Sequence, residues 1–135
     1  MGQRKHLAAV ALKEAMKNVA VAHLRNVPTS TRRMRQVADL IRGEQVEKAL
    51  GILRFSTRHS SRDLEKLLMS AIANWEAKNE GRKADEAALV VKSVQVNEAR
   101  GLKRMLPAPQ GRAYRMKKRS NHVSIIVDAK APAQA

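Results

Sequence analysis

Between Glu98 and Asp128 the chain carries no acidic residue, while Arg100, Lys103, Arg104, Arg112, Arg115, Lys117, Lys118 and Arg119 all lie inside that interval. A run of like charges repels itself and cannot be buried as a core. It is flanked by two Val-rich runs of period two, LVVKSVQV before it and HVSIIVD after it. Such alternation marks strands, with Val123, Ile125 and Val127 on one face of the second. Residues 98–121 connect the two, far more than the two to five of a tight hairpin. Gly101, Pro107, Pro109 and Gly111 fall within them. Two arrangements fit: a disordered loop, or a long two-stranded arm turning near Pro107–Gly111. About eleven residues per side would carry such an arm roughly 35 Å at ~3.3 Å per residue. A ribbon without a core is marginal in water, and its basic content suggests RNA as what packs against it.

The rest of the charge supports that reading. Residues 1–38 sum to +7, residues 39–86 to zero and residues 87–135 to +8, which makes the net +15. The middle third reads as an ordinary solvated helical body, and the ends carry the electrostatic footprint. A polyanion partner follows from such a balance, nucleic acid before an anionic membrane surface. The absence of Cys removes disulfides, Cys-ligated zinc and thiol nucleophiles. The longest apolar stretches, such as LAAVAL, are about six residues, too short for a transmembrane helix. LAAVAL after Arg4 and Lys5 resembles a short signal peptide. Lys13, Glu14 and Lys17 follow at once without a cleavage site, so export is not expected, while a transit peptide stays open.

Helical periodicity organises the first two thirds. Residues 4–18 suggest an Ala-rich helix with little apolar face, and residues 19–28 look extended, with Pro28 disfavouring helix at Val27. TSTRRMRQVADLIRG predicts a helix capped by Thr29 or Ser30, striped by Met34, Val37, Ala38 and Ile41, and stopped at Gly43. Val46, Ala49, Leu50 and Leu53 mark a second helix. Leu64, Leu67, Leu68, Ala71, Ile72 and Trp75 mark a third. NEGRKADE, residues 79–86, reads as a polar loop and APAQA as a disordered tail. With one Phe, one Trp and one Tyr, the core should be small, Ala-rich and aliphatic.

No catalytic constellation is visible. The four histidines show no short metal-ligand spacing, and there is no nucleophile elbow, P-loop or dinucleotide fingerprint. Asp63 reads as a helix-capping residue. An enzyme is not expected, nor a metal or other cofactor. The candidates are binding residues. Arg32, Arg33 and Arg35 cluster in the first turns of a helix, where cations oppose the macrodipole and an anionic partner would offset the cost. They read as RNA ligands or as solvated arginines. Arg25 and His122 join the candidates. Trp75 continues an apolar stripe and reads as core, with base stacking as the alternative. Tyr114 would either stack on a base or ribose or pack across the arm beside Met116.

Three ordered segments resemble a known family. TSTRRMRQVADLIRG, KLLMSAIANWE and LKRMLPAPQGRAYRMKKRSNHVSIIV are similar to the bacterial large-subunit ribosomal protein L-twenty-two family over about residues 20–128. The resemblance implies an α+β fold: three helices packed on a small three-stranded antiparallel sheet, with a long extended β-hairpin arm. It also implies that the arm threads large-subunit rRNA. The tip, Met105, Leu106, Pro107, Ala108, Pro109, Gln110 and Gly111, would help line the nascent-peptide exit tunnel. Family members often carry basic residues where Ala108 and Gln110 stand, so this tip is less charged than theirs.

The expected organisation is a basic Ala-rich extension over residues 1–18, one rRNA-binding domain over 19–128 with its arm at 98–121, and a tail at 129–135. The expected protein is a non-enzymatic ribosomal constituent, cytoplasmic or organellar. Its partners would be large-subunit rRNA, neighbouring ribosomal proteins and the nascent peptide, with no membrane and no homo-oligomer. The competing class is a DNA-compacting architectural protein whose β-arm enters a minor groove, but such dimers need an apolar interface, and no spare apolar stripe is visible. A membrane-surface module would need a Phe/Leu/Trp face that the basic segment lacks.

Overall fold

The computed structural model describes residues 2–17, 19–79 and 87–129. Along the chain run helix α1 (Gly2–Lys17), strand β1 (Ala20–Val27), helices α2 (Thr31–Ile41), α3 (Val46–Phe55) and α4 (His59–Lys78), and strands β2 (Leu89–Pro107) and β3 (Ala113–Ala129). The strands form one antiparallel sheet in the order β1-β3-β2. This is the expected α+β class, with α2, α3 and α4 against the sheet and α1 as a fourth helix. The described side chains of α1, Gln3–Glu14, are all exposed.

Each body helix buries the stripe its periodicity marks. Met34, Val37, Ala38 and Ile41 of α2, Val46, Ala49 and Leu53 of α3, and Leu64, Leu67, Leu68, Ala71 and Trp75 of α4 meet one face of the sheet. That face is built from Ala20 and Ala22 of β1, Leu89, Val91, Val94 and Val96 of β2, and Val123, Ile125 and Val127 of β3. Burying a Leu- or Val-sized side chain stabilises by about 1.5–3 kcal/mol, so this layer supplies most of the driving force. Trp75 is 4% exposed and lies in the core, whereas Phe55, at the end of α3, is 87% exposed. The aliphatic core therefore has a single aromatic.

The sheet's open edges are closed by polar contacts. At the β2 edge, Gly43 donates its N–H to the Val91 carbonyl (2.9 Å), and Val91 N–H donates to the Glu44 carbonyl (3.0 Å). Gly43 has φ +80, a conformation that favours glycine at this turn. Further along, Arg42 donates to the Val94 carbonyl, and Arg35 donates from Nε and a terminal nitrogen to the Val96 carbonyl. At the β1 edge, Asn74 and Lys78 of α4 donate to the Val21 and Val19 carbonyls. These contacts use up carbonyls that would otherwise template pairing with another chain.

Three expectations need correction. Ser30 occupies the cap position of α2, but its side chain makes no capping bond. Its carbonyl instead accepts the Met34 N–H as the first helical hydrogen bond. Asp63 caps nothing: α4 begins at His59 with Arg58 in the cap position, so Asp63 lies a turn inside. The alternation of LVVKSVQV is interrupted by a register shift between Val91 and Ser93. A bulge adds one residue and re-aims the strand, which is how Val91 and Val94, three apart, share the core face. Most of the polar loop 79–86 lies outside the described residues. So does the tail beyond Ala129, which itself ends β3.

Candidate nucleic-acid interface

β2 and β3 stay paired through the basic segment, from Leu89 opposite Ala129 to Pro107 opposite Ala113. A paired ribbon therefore occupies residues 98–121 rather than an unpaired loop. The burial pattern divides it sharply. On β3, Asn121, Val123, Ile125 and Val127 are buried, and no residue from Ala113 to Ser120 is. On β2 the last buried residue is Val96. The division coincides with a second register shift, between Ala99 and Leu102. Gly101 sits in it, and a Cβ there would fall 2.7 Å from Lys117 Cε and 3.3 Å from the Lys118 carbonyl. Glycine thus lets β3 and the Lys117 stem lie against the bulge.

The distal ribbon holds Lys103, Arg104, Arg112 and Arg115, all exposed, with Arg100 at the bulge. Lys103 stands opposite Lys117 in register. Directly opposed like charges destabilise a ribbon by a fraction of a kcal/mol, roughly 0.2–1, which an anion would offset. Tyr114 stands opposite Leu106 and is 65% exposed, so it is not packed away across the ribbon. At the turn, Ala108 N–H donates to the Arg112 carbonyl (2.9 Å), and Gln110 and Gly111 both take positive φ. Met105, Leu106 and Pro107 are exposed around it.

Where the ribbon leaves the body, the fold gathers residues distant in sequence. A crevice of about 1190 Å³ is lined by Leu24, Arg25, Asn26 and Val27 of β1, Pro28, Thr29 and Ser30 of the following turn, Arg33 and Gln36 of α2, and Arg58, His59, Ser60 and Asp63 around the start of α4. Leu102 of β2 and Lys117, Lys118, Arg119 and Ser120 of β3 complete it. Six of these are Lys or Arg, against one acid, Asp63. The cluster is held by a buried amide: Asn121 Nδ2 donates to the Thr29 carbonyl (2.9 Å) and to Thr29 Oγ1 (2.8 Å), tying the β1–α2 turn to the ribbon's base. Glu98 adds an exposed double ion pair, to Arg119 (3.1 Å) and Lys117 (3.4 Å). Its carboxylate holds both cations beside the crevice, though exposed pairs add only about 0–1 kcal/mol of stability.

Of the sequence-predicted residues, Arg25, Arg33, Lys117, Lys118 and Arg119 meet at the crevice, and Arg100, Lys103, Arg104, Arg112, Tyr114 and Arg115 lie along the ribbon. Arg32 is exposed on α2 but does not line the crevice. Arg35 is engaged with the Val96 carbonyl, so its first role here is to pin α2 to the edge strand. His122 Nδ1 accepts the Asn26 backbone N–H at 3.0 Å, which occupies that nitrogen on the uncovered side of the sheet. Arg58, Gln36 and His59 were not anticipated. Arg58 donates to Gln36 Oε1 at 2.9 Å across the α2–α4 seam. The pair Arg58-His59 before SSRD, at the entrance to an apolar-striped helix, was the available signal. Among the described residues no group of His, Cys, Asp or Glu could hold a metal.

A cationic crevice continuing into an exposed basic ribbon is the kind of surface that suits a nucleic acid, met chiefly through its phosphates. Comparison with known proteins narrows the class. Residues 22–128 match the family Ribosomal protein L22p/L17e. A protein of Porphyromonas gingivalis named large ribosomal subunit protein uL22 is 60% identical over 128 residues, covering 95% of each chain. Proteins of the same name from Christiangramia forsetii and Bacteroides fragilis are 58% and 56% identical, over 96% and 97% of this chain and 96% of theirs. The chain belongs to the L22p/L17e ribosomal protein family, whose role is structural and non-enzymatic.

Proposed function

We propose that this protein is a structural constituent of the large ribosomal subunit that binds large-subunit rRNA through the basal crevice and the basic ribbon. The observation that carries the reading is the convergence of Arg25, Arg33, Arg58, Lys117, Lys118 and Arg119 on one crevice at the ribbon's base. The cations neutralise phosphates, and the body holds the ribbon's base rigid, so recognition works through RNA shape rather than base edges. Family membership supports a place beside other ribosomal proteins in the cytoplasmic ribosome. The exposed, uncharged turn Met105–Gly111 is suited to face a passage through which a nascent peptide moves, because a neutral surface does not hold a passing chain. On this reading the ribbon's sides grip rRNA and its tip helps line the exit tunnel.

Two variants test the division of labour. Replacing Lys117, Lys118 and Arg119 by Ala should make the slope of log K against log salt shallower by roughly 2–3, at 0.7–0.9 per lost phosphate contact, and weaken incorporation into the subunit. Deleting Met105–Gln110 should leave incorporation nearly intact and instead alter nascent-chain stalling or sensitivity to drugs that bind in the tunnel. Both are read in purified subunits. Normal incorporation of the triple variant with loss of the turn deletion would overturn the assignment. Equal or tighter binding to random duplex DNA would favour an architectural DNA-binding role instead.

A further inference from the structure

Helix α1 lies outside the residues that match the family, which begin at 22, and outside the crevice and ribbon. It is nevertheless shared with close relatives: the Bacteroides fragilis match covers 131 residues, so at most four of this chain's 135 fall outside it. At 16 residues α1 is barely longer than the helices that are marginal in water, so most of the stability of such a helix comes from what packs on it. Its described side chains Gln3–Glu14 are all exposed, with Leu7 at 65% and Leu12 at 62%. Five residues apart, Leu7 and Leu12 point to different sides, and the positions in step with Leu12 are Ala8, Ala15 and Met16, so α1 has only a small, mostly alanine apolar face with which to dock on a protein core or a bilayer. What it has is positive charge. Arg4, Lys5, Lys13 and Lys17 stand against a single acid, Glu14, and His6, Val10 and Lys13 share one side at spacings of four and three. Arg4 and Lys5 stand in the first turn, which holds no acid. There the unpaired N–H groups and the macrodipole are already positive, and an anion is the complementary ligand.

We propose that α1 is a second RNA-binding element, which lays its cations on rRNA phosphates separately from the crevice and ribbon and is held helical by that contact. This rests on the rRNA-binding role proposed above. Phosphate is favoured over an acidic protein face because the apolar positions of α1 are mostly alanine and offer little core for a protein–protein contact.

The test uses the full chain, its Arg4→Ala/Lys5→Ala/Lys13→Ala variant and a deletion of residues 2–17, each titrated against protein-free large-subunit rRNA over a salt series. The triple variant should melt like the wild type, because these side chains are exposed. Its slope of log K against log salt should be shallower by roughly 2–3, and the deletion should lose at least as much. A wild-type chain with a steep slope and a triple variant equally steep would overturn the proposal while leaving the rRNA reading intact. A flat wild-type response would instead sink the rRNA reading itself. A defect seen only when other ribosomal proteins are present would assign α1 to a protein contact and overturn the proposal.

Discussion

The same two strands behave as two different materials on either side of Asn121. From Asn121 to Val127, every second residue of β3 is buried against helices, and β3 is paired on both sides, with β1 and β2. From Ser120 back to Ala113 nothing is buried, and among the described residues β2 is the only strand paired with that stretch. The β2–β3 ladder runs through both halves, so that ladder alone does not separate them. Side-chain burial does, which shows that a hairpin's register can persist well beyond its stability when the near half fixes the alignment. The far half is then free to be chosen for charge rather than packing, and its sequence accordingly turns from Val and Ile to Arg and Lys.

The largest expected contrast is in amide hydrogen exchange of the free protein. Core amides such as those of Val94, Ile125 and Val127 should open only near the global unfolding free energy, of order 5–15 kcal/mol, while those of residues 103–106 and 114–117 should open at close to zero. Comparable protection in both halves would break the distinction. Next, Trp75→Ala should destabilise the body by about 3–5 kcal/mol in denaturant unfolding, the usual cost of removing a buried aromatic. Where the variant still folds, the salt slope for rRNA should be unchanged. A variant of normal stability that binds rRNA poorly would move Trp75 from core to interface. The smallest effect sharpens the boundary itself. Asn121→Ala removes the amide bonds to Thr29 and should cost about 1–3 kcal/mol, because the Thr29 groups lose their partner beside the core. It should also weaken rRNA binding although no charge has changed, since the β1–α2 turn and the ribbon's base would no longer be fixed together. Loss of stability with unaltered affinity would mean that the crevice does not depend on this tie.

Much of this architecture was legible because it is written locally. The stripes of α2, α3 and α4 follow a 3.6-residue period, and most positions that the period marks are buried, Leu50 and Ile72 only partly. The turn near Pro107–Gly111 was readable from its Pro and Gly content. Capping was misread at Ser30 and Asp63, because a residue's aptitude for capping does not decide whether the chain's entry angle presents its oxygen to a free N–H. Arg35 was read with Arg32 and Arg33 as one cluster. Adjacent positions on a helix point about 100° apart, and only the docked partner decides which of them meets an edge carbonyl and which meets solvent.

By itself the sequence determined the class of the protein, its three body helices, the Val-rich halves of its two long strands and the sign and whereabouts of its charge. These depend on periodicity and composition, which are properties of neighbours along the chain. The tertiary structure decided which cations stand together. Arg25, Arg33, Arg58 and Lys117–Arg119 come from four separate elements and meet only because β1 pairs with β3 and α4 packs against both. It also decided that Asn121 is an anchor rather than a surface amide, that the bulge at Gly101 marks where the ribbon leaves the core, and that the β2 edge is closed by arginines. Each of these is a contact between residues dozens of positions apart, set by register and helix docking, and no local pattern specifies such a contact.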